Sequence, residues 1–214
     1  MARKTPEDSE KTRQLLIEKA GEVFYEKGVS QTTLLDVAEA AGMSRGAIYW
    51  RFQNKAELFA AFVDQCFSPA EHAANQALQN TAANALEKLR ELMVNTLLIP
   101  TQDPSIRRAY AVIAHRCEYT DAFRDALSAL EQREQTFITD LRDLVRQAQR
   151  EALVRDTLSA EMLAFAVYAF LDGVLTQWTS DNTHQGIALA KEAPELVNVF
   201  LSGIAQDPRT LNKG

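Results

Sequence analysis

The sequence predicts an all-α fold of about nine helices, and three observations carry that expectation. Its 214 residues include only eight glycines and six prolines, with no glycine between Gly46 and Gly173. A β-sandwich or barrel needs turn glycines at short intervals, so this spacing argues against one. The hydrophobic share of 46% and charged share of 24% lie in the globular range, and apolar residues recur every three or four positions through most of the chain. Two cysteines cannot build a disulfide framework. No basic leader with an apolar core opens the sequence, and the longest non-polar run, 162–171, is too short to span a bilayer. A reduced, cytoplasmic protein that does not enter a membrane is the expectation.

The elements follow in order. Residues 1–9 are polar and contain Pro6, which reads as a loose arm. Over 11–27, Leu16, Ala20, Val23 and Phe24 form a core-facing stripe that ends at Gly28 and Val29. Thr33 with Asp36 reads as a capping box opening a helix over 34–41, which turns Leu34, Val37, Ala38 and Ala41 inward and stops at Gly42. Ser44 caps a third helix of about two turns. Asn54 with Glu57 caps a fourth, lined by Leu58, Phe59, Phe62, Val63, Cys66 and Phe67. Pro69 should break or kink it. Beyond it come helices over 84–99 ending before Pro100, from Pro104 through Tyr110, Ile113 and His115, and over 121–152 with Phe123, Leu127, Leu130, Phe137, Leu141, Leu144 and Val145 as its ladder. Ser159 opens a helix apolar almost all round to Trp178. A last helix covers 188–204, with Pro194 near its start or at a kink. The predicted domains are 10–70 and 71–214.

Residues 33–52 have the outline of a helix-turn-helix. Ala38 is small where two helices cross, Gly42 lies in the turn, and Ile48 plugs the second helix into the first. That second helix then exposes Arg45, Gly46, Tyr49 and Trp50, with Arg51 and Lys55 following. Arginine can fork to guanine in the major groove, and Tyr, Ser, Thr and Lys can hold phosphate oxygens. The alternative is a three-helix corner in a larger helical protein, with one or both aromatics in the core. Charge leans towards the first reading: residues 1–55 carry nine Lys or Arg against eight Asp or Glu, while the remainder carries fourteen against twenty-one. Residues 40–55 hold Arg45, Arg51 and Lys55 with no acid, a small basic surface on an acidic body.

The stretch starting at Thr12, "TRQLLIEKAGEVFYEKGVSQTTLLDVAEAAGMSRGAIYWRFQNKAELFAAF", closely resembles the N-terminal domain of the TetR family of transcriptional regulators. The opening "MARKT" and the later piece "RRAYAVIAHRCEYTD" resemble the AcrR-like branch, which represses multidrug efflux pumps. Arg51 departs from that branch, which usually has His there. Residue by residue, the resemblance implies Thr33, Ser44, Arg45, Gly46, Tyr49, Trp50, Arg51 and Lys55 as DNA contacts. It also implies double-stranded DNA with an inverted-repeat operator as partner, and a homodimer formed through the last two helices.

Other motifs read as coincidence. Gly42-Met43-Ser44-Arg45-Gly46 matches the G-x-S-x-G nucleophile elbow, which needs a strand before it, and a helix-forming run stands there instead. Cys66, His72, His115 and Cys117 have no zinc-ligand spacing, so no metal and no cofactor are expected.

A helix apolar on every side must be buried on every side, so 162–178 needs two partners. The plain account is a central helix inside a bundle; the alternative, which the resemblance favours, packs one face inward and sets the other against a second copy through Phe165, Ala169, Gly173, Phe200 and Gly203. Asp172 follows the apolar run and either turns to solvent at the helix surface or serves as an inward acceptor in an apolar cavity, which would suit a lipophilic ligand, amphipathic or cationic. Phe67, Met93, Tyr110, His115, Phe137 and Leu141 are the other candidate ligand-binding residues. The rival reading is a helical enzyme using such a cavity, with Asp172 and His115 as acid and base. It has no nucleophile motif and leaves Ser44-Arg45-Gly46 unexplained.

Overall fold

The computed structural model describes residues 6–118, 124–180 and 187–207. Among them are nine helices: α1 (Pro6–Lys27), α2 (Leu34–Ala40), α3 (Arg45–Tyr49), α4 (Lys55–Gln79), α5 (Ala85–Gln102), α6 (Pro104–His115), α7 (Arg124–Arg150), α8 (Ala160–Thr179) and α9 (Leu189–Ser202). No strand occurs among the described residues. The chain divides at Phe67/Ser68, Pro104/Ser105 and Glu131/Gln132 into two compact units.

The first unit is built around the apolar stripe of α1. Leu16, Ile17, Ala20, Val23 and Phe24 pack with Leu34, Val37 and Ala38 of α2, Ile48 of α3, and Leu58, Phe59, Phe62 and Val63 of α4. Phe24 meets Phe59 and Phe62 edge-on, at centroid distances of 5.8 and 5.7 Å. α1 and α4 approach closely at Gly21, where a Cβ would fall 2.6 Å from a Phe62 ring carbon. Ala109 and Val112 of α6 close the same core.

In the second unit α5 packs against α8 and α9. Leu89, Met93 and Leu97 of α5, Val167 and Leu171 of α8, and Val197 and Leu201 of α9 are buried. Arg90 Nε donates to Asn198 Oδ1 at 2.7 Å, a polar tie between α5 and α9.

Prolines are where the helices depart from expectation. α1 starts at Pro6, inside the supposed arm, because Pro suits the first helical position and Glu7 and Asp8 complement the exposed amides there. α4 runs through Pro69 without a break. The carbonyl left without a helical donor belongs to Gln65, an exposed residue. α5 continues through Pro100 to Gln102, with the proline ring buried. α9 holds Pro194 in its second turn. The expected start of α7 and the place of Phe123 lie outside the described residues.

Candidate nucleic-acid interface

The corner between α2 and α3 is fixed by local hydrogen bonds that the sequence encodes. Thr33 caps α2 and accepts from the Asp36 amide, while the Thr33 amide and hydroxyl donate to Asp36 Oδ2 at 2.7 and 2.6 Å. Lys27 Nζ lies 2.6 Å from the other Asp36 oxygen. Lys27, then Thr33, holds the Asp36 carboxyl far below the ordinary carboxylate range. Gly42 takes φ +63°, which glycine adopts without strain, and the Met43 amide returns to the Ala38 carbonyl at 2.8 Å. Ser44 then caps α3 through the Ala47 amide. Ile48 is fully buried beneath the corner.

Burying Ile48 turns the opposite face of α3 to solvent. Arg45 and Gly46 are exposed, Tyr49 is 45% exposed and Trp50 79%. Neither aromatic belongs to the core. The Arg45 guanidinium carbon lies 5.4 Å from the Tyr49 ring centroid. A Cβ on Gly46 would meet nothing within 4 Å, so the fold alone does not require glycine there. The segment before Ser44 is helical, so the strand a nucleophile elbow needs does not precede this serine.

Two expected phosphate-binding cations are engaged inside the chain. Lys55 Nζ donates to the Ser30 carbonyl at 2.6 Å, and burial pushes its pKa down against the opposing pull of Asp36. Arg51 donates to the Ala47 and Ser9 carbonyls, both at 3.3 Å, and its Nε is buried with no acceptor. Arg51 is therefore half-buried and turned towards these carbonyls, not fully outward as expected. Sequence reading missed Ser9 and Ser30; both act through backbone oxygens, which no side-chain motif announces.

The other candidates separate. In the first unit Phe67 and Tyr110 meet at 4.9 Å between ring centroids, while His115 is exposed at the end of α6. In the second unit Met93 and Leu141 are buried and Phe137 is half-buried. Asp172 is exposed, which corrects the inward setting expected of it: seven residues after Phe165, it shares that residue's outward stripe. α8 is not buried all round either. Leu163, Val167, Leu171 and Leu175 face the core, while Phe165 is 65% exposed and Ala169 and Gly173 are exposed beside it. On α9, Gly203 is exposed and Phe200 stacks on Phe170 at 4.7 Å.

Residues 16–62 match the family model described as bacterial regulatory proteins of the tetR family, and residues 84–205 match the C-terminal region of MAATS-type transcriptional repressors. The chain is 35% identical over 182 residues to the HTH-type transcriptional regulator TtgR of Pseudomonas putida, covering 83% of this chain and 85% of that one. The crystal structure of NalD, the secondary repressor of the MexAB-OprM multidrug efflux pump in Pseudomonas aeruginosa, superposes with a TM-score of 0.82 at 30% identity, covering 94% of this chain and 99% of that one. MexZ, a repressor responsible for antibiotic resistance in the same organism, gives 0.77 at 25% identity over 91% and 94% of the two chains.

Proposed function

Because the chain belongs to the TetR family of bacterial regulatory proteins, we propose that it is a dimeric repressor that binds an inverted-repeat operator, controls a multidrug efflux operon and is released by lipophilic small molecules. The observation that carries this reading is the capped, five-residue α3, anchored by Ile48 and presenting Arg45, Gly46, Tyr49 and Trp50 outward. Arg45 is the base reader, able to fork to guanine. Tyr49, Trp50 and the Ser44 hydroxyl hold the sugar-phosphate backbone. Thr33 and Lys55 join them once their bonds to Asp36 and Ser30 are exchanged for phosphate oxygens.

Dimerisation uses the outward stripe of α8 with the facing residues of α9: Phe165, Ala169, Gly173, Phe200 and Gly203. An exposed aromatic beside exposed small residues is what a close helix–helix contact between copies needs. Two half-sites about one helical turn apart then match two α3 helices. The ligand is a lipophilic molecule, and Met93, Phe137 and Leu141 within the second unit are the apolar candidates to touch it; Phe67 and Tyr110 pair with each other in the first unit. Relatives named as efflux-pump repressors support this reading.

The test is binding to the DNA upstream of the chain's own gene, with and without neutral and cationic lipophilic compounds. Retention of that duplex, with release by at least one compound, is expected. Failure to prefer it over unrelated DNA would remove the reading.

A further inference from the structure

We propose that Arg51 is a positioning residue and not a phosphate ligand: it braces the end of α3 against the first turn of α1, and through that brace sets how Trp50 meets DNA. The proposal rests on the DNA-binding reading above and assigns one of its basic residues a different task.

The geometry leaves little of this guanidinium for DNA. At the end of α3 the Arg51 amide donates to Ile48 at 2.9 Å, not to Ala47. The Ala47 carbonyl is one of the acceptors that a helix end leaves open, and the Arg51 Nη1 group fills it at 3.3 Å. Nη2 reaches back forty-two positions to the Ser9 carbonyl, also at 3.3 Å. That carbonyl lies in the first turn of α1, and a carbonyl has a second lone pair beyond its helical bond. Arginine binds phosphate best through two parallel N–H groups. Here one such edge contains the buried Nε, which no solvent reaches, and on the other each nitrogen already gives one of its two N–H groups to a carbonyl, the two carbonyls lying on separate helices. The same guanidinium lies 5.9 Å from the Trp50 ring centroid, while the indole itself is 79% exposed. Arg51 thus lies over the ring of an aromatic that is otherwise largely exposed.

Lysine separates the two roles, since it keeps the charge and loses the planar fork. The experiment uses the full chain with Trp178→Phe, which leaves Trp50 as its sole tryptophan. Arg51→Ala and Arg51→Lys are compared with it for operator affinity across salt concentrations and for Trp50 emission in the free protein. Both substitutions are expected to raise Kd to a similar extent, about tenfold, because each removes the brace that orders Trp50. Both should shift the emission, and neither should change the slope of log K against log salt. A slope reduced by about 0.9 per contact in Arg51→Ala, with affinity restored in Arg51→Lys and the emission unmoved, would overturn the proposal. If Arg51→Ala does not fold, Arg51→Lys alone decides it by slope and emission. If the unsubstituted chain binds no operator, the DNA reading fails, and the emission shift still decides whether the brace exists.

Discussion

Lys27 and Asp36, nine residues apart, join the end of α1 to the first turn of α2: the ammonium sits 2.6 Å from one carboxylate oxygen while Thr33 occupies the other. One carboxylate therefore serves an ion pair and a helix cap together. The pair alone contributes little, since half of the Lys27 side chain is in water. The cap contributes more, and Thr33→Ala should cost about 1 kcal/mol in chemical denaturation.

The same carboxyl makes the first unit sensitive to acid. Its pKa is depressed in the folded chain, so the folded state holds the proton less tightly than the unfolded state. The stabilisation is complete above the ordinary Asp value of about 4 and drains away as pH falls below it towards the depressed value. Asp36→Asn should flatten that part of the stability–pH curve. A curve between pH 5 and pH 2 that Asp36→Asn leaves unchanged would show that Lys27 and Thr33 do not hold this carboxylate in solution.

Operator affinity should fall steeply with salt, because several phosphates are neutralised in each half-site. Arg45→Ala should cost roughly 1–3 kcal/mol and relax base preference at one position per half-site, whereas Lys55→Ala should weaken all duplexes equally. The measurement is anisotropy titration against a panel of single-base operator variants. Sequence preference left intact by Arg45→Ala would remove it as the base reader.

Much of this head was legible before any coordinates. Thr33 with Asp36, Gly42 and Ser44 are caps and turns that act within four residues, so sequence alone announces them. The burial of Ile48 and the exposure of the face opposite it follow from helical period. Arg51 was illegible in that way, because its acceptors are backbone oxygens and one of them lies forty-two positions away. Pro100 misled as well: propensity marks a helix end, whereas α5 goes on with the ring buried. Asp172 misled because an apolar run looks the same whether it ends facing a cavity or facing outward.

The purified protein should have about twice the 23.9 kDa mass of one chain in sedimentation. A side chain at Gly173 would meet nothing within 4 Å of its own chain. Gly173→Glu should therefore fold normally while shifting the mass to that of a monomer and abolishing tight binding to the two-half-site operator. A variant that stays dimeric would move the interface off this stripe.

Gly21 gives the opposite kind of test, inside the core. A methyl group there would fall 2.6 Å from the Phe62 ring, and that ring is wedged against Phe24 and Phe59. Gly21→Ala should destabilise the chain by about 1–3 kcal/mol through overpacking, despite the better helix propensity of alanine. Gly21→Ala combined with Phe62→Leu should recover part of the loss, as seen in the denaturation midpoint.

Arg45 already lies over the Tyr49 ring when no DNA is present. A free arginine on a surface samples many rotamers, and fixing one at an interface typically costs about 0.5–1.5 kcal/mol of entropy. Stacking on Tyr49 places part of that ordering in the folding step, so less remains to be lost when guanine arrives. If Arg45 reads guanine as proposed, Tyr49 shapes recognition through that arginine. Replacing it with alanine would leave every Arg45 contact available and still slow capture of the operator, because the reading side chain would have to be found among its rotamers at each encounter.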